Sequence, residues 1–69
     1  MEQIGKLIGG KVKALRIEKK LSQEELARIS GVNRTTISAI ETERAESIST
    51  GTLAALADAL AVPVNYFLS

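Results

Sequence analysis

The carboxylates Glu24, Glu25, Glu41, Glu43 and Glu46 come nearest to an acid–base constellation in this chain. General acid–base catalysis needs titratable groups held where their surroundings push the pKa values apart. These five fall instead on solvated helix faces, in helix caps or in a polar loop. The sequence has no His and no Cys. That removes the commonest general base, the thiol nucleophile and the usual zinc ligands. No disulfide can form, and no oxidising compartment is implied. The residue types predict no enzyme, no metal site and no cofactor.

The cations are more informative. All nine Lys and Arg residues lie within 1–44, against six acids there, a local balance of +3. Residues 45–69 carry Glu46, Asp58 and no base, a balance of −2. A basic first part joined to an acidic, apolar tail predicts one face for an anion and another for a partner. Sixty-nine residues make one small domain, 1–69, which buries only about 60% of its unfolded surface. Asp58 interrupts the longest apolar stretch, which falls short of the about 18 residues a membrane span needs. The first ten residues lack the basic start, apolar run and cleavage site of a signal peptide. The expected location is the cytoplasm.

The elements that would position these groups are helices. No segment alternates as a strand does, whereas steps of three and four recur. Ile4, Leu7, Ile8, Val12 and Leu15 mark a first helix, weakened by Gly5, Gly9 and Gly10 at about 1 kcal/mol each against Ala. Ser22 with Glu25 three residues on is a capping box that opens a second helix, Gln23 to about Ile29, with Leu26, Ala27 and Ile29 inward. Gly31 ends it. Asn33 caps a third helix, Arg34 to about Thr42, with Ile37 and Ile40 inward. After a polar loop, Ser49 or Thr50 caps a fourth, whose stripe is Leu53, Leu56, Ala57 and Leu60. Pro63 breaks that pattern. Val64, Phe67 and Leu68 predict a short fifth helix, completing a compact all-α domain of five helices.

The second and third helices with their glycine-containing turn have the spacing of a helix-turn-helix. With Ile37 and Ile40 turned inward, Thr35, Ser38, Ala39 and Thr42 point outward, and Arg34 reaches the same side from the helix N-terminus.

The chain resembles the Cro-and-repressor-type helix-turn-helix (XRE) family of bacterial and phage regulators, whose fold is lambda-repressor-like. The likeness runs from about Gly9 to Leu68. It rests on Val12, Leu15 and Arg16, on Leu21 to Ala27, on Ile37-Ser38-x-Ile40-Glu41, on Thr52 to Leu60, and on Val62-Pro63-Val64-x-x-Phe67-Leu68. The resemblance implies that the helix over 34–42 lies in the major groove of double-stranded DNA. Arg34, Thr35, Ser38 and Ala39 would then face base edges. Gln23, Thr36, Thr42 and Arg44 would contact phosphates, which position the protein without choosing the sequence. Arg16 and Glu41 match a structural ion pair of the family.

The implied function is a transcriptional regulator, acting as repressor or autoregulator. It would bind a palindromic operator as a homodimer that pairs through the apolar 45–69 segment, with Tyr66 and Leu68 as contact candidates. The alternative is an antitoxin-type or protein-interaction module that keeps the fold. Three positions depart from the family pattern. Lys20 and Glu43 stand where the family usually has Gly, and Ile48 where it has Pro. Glu43 and Glu46 also argue against phosphate contact from that loop. Lys11, Lys13, Lys19 and Lys20 are expected to be solvated.

Overall fold

In the computed structural model, which describes residues 4–45 and 47–68 with side chains from Ile8 onward, every regular element among the described residues is helical. It forms α1 (Ile4–Glu18), α2 (Gln23–Ser30), α3 (Arg34–Glu41) and α4 (Thr50–Ala59), followed by a 3₁₀ turn, Val64–Tyr66. No strand occurs among the described residues. Among the described residues, no helix is long and apolar enough to cross a membrane. The inward readings of Ile4 and Leu7 concern side chains outside those described, and Glu46 lies outside the described residues.

α2, α3 and α4 each begin where a side chain accepts from an otherwise unpaired amide. Ser22 Oγ accepts from the Glu25 amide at 3.0 Å, and Glu25 Oε1 accepts from the Ser22 amide at 2.8 Å, so the capping box is complete. Asn33 Oδ1 accepts from the Thr35 amide at 2.9 Å. Ser49 Oγ accepts from the Thr52 amide at 3.1 Å.

Each α-helix ends on a residue in the left-handed region. α2 closes at Gly31, φ 78°, whose amide donates back to the Ala27 carbonyl. Lys20 (φ 60°), Glu43 (φ 65°) and Ala61 (φ 61°) close α1, α3 and α4. At each of these three the residue's amide reaches back three positions, and the next residue's amide reaches back five. That is a Schellman closure, which usually takes Gly. Lys20 and Glu43, read from the sequence as standing where glycine is usual, thus adopt the left-handed backbone that glycine takes most freely.

The core is one cluster. α1 contributes Ile8, Val12 and Leu15, α2 Leu26, α3 Ile37 and Ile40, and α4 Leu53, Leu56, Ala57 and Leu60. Phe67 closes it from the far end of the chain. Ala45 and Ile48 of the α3–α4 loop pack against the same cluster, so that loop is held down by its apolar residues.

Two expectations need correction. The fold has four α-helices, and the fifth element is a 3₁₀ turn. The amides of Tyr66, Phe67 and Leu68 donate to the carbonyls of Pro63, Val64 and Asn65 at 3.0, 3.0 and 3.1 Å. Three residues per turn stack Val64 above Phe67, so one short turn brings both to the core without the cost of nucleating an α-helix. Ile29 is the second correction: it is 50% exposed. It shares a helical stripe with Leu26, but the cover over that stripe does not extend to the last turn of α2.

Candidate nucleic-acid interface

The position of α3 is set at its C-terminal end. Arg16 of α1 sends Nε to Glu41 Oε2 at 2.7 Å and Nη2 to Glu41 Oε1 at 3.0 Å. This is a fork-to-fork pair, the strongest geometry available to these groups. Arg16 Nη1 donates to the Leu21 carbonyl at 2.7 Å, and Gln23 Nε2 donates to Glu41 Oε1 at 3.0 Å. The pair is secluded, with side-chain exposures of 13% for Arg16 and 2% for Glu41. No buried side-chain polar atom among the described residues lacks a partner. The Glu41 hydrogen bonds raise the Arg16 pKa above its already high ordinary value, burial opposes this, and the Glu41 charge adds to it. The guanidinium is therefore always charged.

α1 also meets α3 backbone to backbone. Gly9 is buried, and a Cβ built there would overlap the Ile40 carbonyl oxygen. The helical penalty of this glycine is the condition for close approach. Sequence reasoning registered only the penalty, because a single sequence carries no sign of which helix will cross at that point.

α2 and α3 are joined by Gly31, Val32 and Asn33. Ser30 Oγ accepts from the Val32 amide at 3.1 Å, and Val32 leans on the core. The outer face of α3 then presents Arg34, Thr35 and Thr36 to solvent, with Ser38 and Ala39 half-buried beside them. Thr42 and Arg44 are exposed beyond its C-terminal end. Gln23 is half-buried at the start of α2. It uses one N–H on Glu41 and has a second available, since an amide nitrogen carries two donors.

Two of these hydroxyls are already engaged. Thr42 Oγ1 donates to the Ser38 carbonyl at 2.7 Å, so its only hydrogen is committed within α3. Phosphate oxygens accept and do not donate, so in this rotamer Thr42 offers a phosphate nothing. Thr35 Oγ1 bonds Asn33 Oδ1 at 2.8 Å. A hydroxyl has one hydrogen, a point that position on a helical wheel does not reveal.

At the opposite end of the chain Tyr66 is 40% exposed and Leu68 61%, while Phe67 is buried and meets the Tyr66 ring edge-on at 5.6 Å. Lys11 of α1 donates to the Tyr66 carbonyl at 3.0 Å, and its ammonium lies 5.4 Å from the ring centroid. Lys11 is thus a clasp between α1 and the 3₁₀ turn, where a solvated side chain was expected. Its partner lies 55 positions along the chain, beyond the reach of local pattern.

Two short helices, a three-residue turn and an outward polar face on the second helix define a helix-turn-helix domain. The helix-turn-helix family model matches residues 12–67. The chain belongs to this family, in its Cro-and-repressor type, whose members are DNA-binding transcription regulators. No match to a curated protein was found.

Proposed function

We propose that this protein is a sequence-specific transcriptional regulator that binds a palindromic operator as a homodimer, with α3 in the major groove. The observation that carries this reading is the α3 face. It is polar and exposed at Arg34, Thr35 and Thr36, on a helix clamped by Gly9, Arg16 and Gln23. A helix of modest intrinsic stability, held rigidly and presenting short polar side chains, suits direct reading of base edges. Arg34 pairs bidentately with guanine, Thr35 and Ser38 offer hydroxyls, and Ala39 gives apolar contact to a thymine methyl. Gln23 through its second N–H, Thr36 and Arg44 hold phosphates, and Thr42 joins them only by giving up its bond to Ser38.

One module of this size contacts a single half-site, and dimers of this class span two half-sites about 34–36 Å apart. Tyr66 and Leu68, the exposed apolar residues of the acidic C-terminal part, are the proposed pairing surface. A regulator of this kind acts in the cytoplasm of a bacterium or in a phage-infected cell, as repressor or autoregulator.

The test is selection from a random-sequence duplex pool with wild type and Arg34→Ala. An enriched palindrome whose preference relaxes at one position of each half-site in the variant supports the proposal. Absence of any enriched sequence at low salt, with the protein folded and dimeric, overturns it in favour of a protein-interaction module. Affinity that falls steeply with salt marks phosphate contact.

A further inference from the structure

The hydrogen-bond geometry at the start of α3 assigns Thr35 a polarity. Asn33 Oδ1 accepts from the Thr35 amide at 2.9 Å. An N–H bonds only to an acceptor, so this cap bond fixes which end of the Asn33 amide is the oxygen. The same Oδ1 lies 2.8 Å from Thr35 Oγ1. A carbonyl oxygen has no hydrogen to give, so the Thr35 hydroxyl is the donor. Its single hydrogen points back at the cap, and only lone pairs remain on the exposed side.

We infer that Thr35 reads DNA as an acceptor alone, and that its partner is an exocyclic amino group, N6 of adenine or N4 of cytosine. The major groove offers amino donors on those two bases and carbonyl acceptors on guanine O6 and thymine O4. An acceptor-only hydroxyl meets the first pair with a hydrogen bond and the second with two opposed lone-pair sets. A free threonine hydroxyl rotates to suit either kind of group, so it discriminates weakly. Asn33 converts it into a discriminating one. Asn33 is on this view a positioning residue for specificity, beyond its role as a helix cap. The inference rests on the proposed placement of α3 in the major groove.

The test uses the duplex enriched by wild type, together with Thr35→Val, which keeps the side-chain shape and removes the oxygen. The base pair whose preference disappears in Thr35→Val is then rebuilt in two ways, once lacking the amino group and once lacking the carbonyl oxygen. The first uses purine for adenine or pyrimidin-2-one for cytosine, and the choice identifies the base. The second uses 2-aminopurine for guanine or 5-methylpyrimidin-2-one for thymine. Deleting the amino group is expected to weaken wild-type binding about two- to tenfold, the range of one neutral hydrogen bond. It should leave Thr35→Val binding unchanged, and deletion of the carbonyl should leave both unchanged. In Asn33→Gly, which keeps a tolerated cap residue and frees the hydroxyl, the preference at this pair should relax.

Loss that follows the carbonyl deletion overturns the inference, as does a Thr35→Val protein with unaltered preference at every pair. Both outcomes leave the regulator reading intact. Failure of wild type to enrich any duplex overturns the regulator reading and the inference with it.

Discussion

Gly9 of α1 lies against the main chain of α3 at Ile40, where a methyl group at position 9 would overlap the carbonyl oxygen. The adjacent Gly10 faces open space, with nothing within 4 Å of a built Cβ. The two glycines therefore respond oppositely to alanine. Gly10→Ala is expected to stabilise by up to about 1 kcal/mol through helix propensity. Gly9→Ala is expected to destabilise by about 1–3 kcal/mol, because a backbone oxygen cannot swing aside and the helices must separate. Urea unfolding of the two variants checks this, and equal shifts of the same sign would refute it.

The Arg16–Glu41 pair predicts an asymmetry between single and double replacement. Arg16→Ala leaves Glu41 buried with only Gln23 as side-chain donor, and loses about 3–5 kcal/mol. Arg16→Met combined with Glu41→Leu removes both charges, fills much of the same volume, and recovers most of that loss. Thermal unfolding of the single and double variants measures the difference. A double variant as unstable as Arg16→Ala would mean that the pair contributes net stability of its own.

Lys20 and Glu43 sit at φ 60° and 65°. A side chain in that region costs about 1–2 kcal/mol, and glycine avoids it at the price of greater freedom in the unfolded chain. Lys20→Gly and Glu43→Gly are each expected to raise stability by about 0.5–1 kcal/mol. Because the two sites close different helices, the effects should add. Denaturation midpoints of the singles and the double decide the matter, and a fall in either single would show that the side chain makes a compensating contact.

Glu25 predicts a pH signature. The bond from the Ser22 amide lowers its pKa below 4.5, with slight opposition from burial and smaller help from the Ser22 hydroxyl and Arg28. The folded state therefore favours the ionised carboxylate more than the unfolded chain does. Its contribution is complete above 4.5 and is lost as pH falls through the lowered folded value. Melting temperatures recorded from about pH 6 to about pH 3 should fall less steeply for Glu25→Gln than for wild type. Parallel curves would remove the capping box from the acid response.

Much of this was legible because the deciding signals are local. Ser22 with Glu25, Gly31 and Asn33 bound α2 and α3 within a residue or so, since caps and left-handed closures act over one turn. The pairing of Arg16 with Glu41 came from family likeness, and the structure adds that Gln23 and the Leu21 carbonyl share the same node. What escaped has two causes. Lys20, Glu43 and Ala61 are ordinary helix residues, so their types conceal the left-handed closures they make. Gly9, Lys11 and Ile29 depend on which element passes over them, and spacing along one helix says nothing about where a neighbour begins or stops. The 3₁₀ turn belongs to the same group: Val64 and Phe67 satisfy α-helical and 3₁₀ spacing alike.

The fork of Arg16 holds α3 through Glu41, and neither it nor Gln23 makes a hydrogen bond to residues 34, 35, 38 or 39. The hydrogen-bonded support and the outward face are thus separable along one eight-residue helix. The outward positions are open to exchange, by drift or by design, without disturbing the joint that aims them. On the proposed placement of α3, descendants of this chain can diverge in the sequences they recognise while their folding remains common.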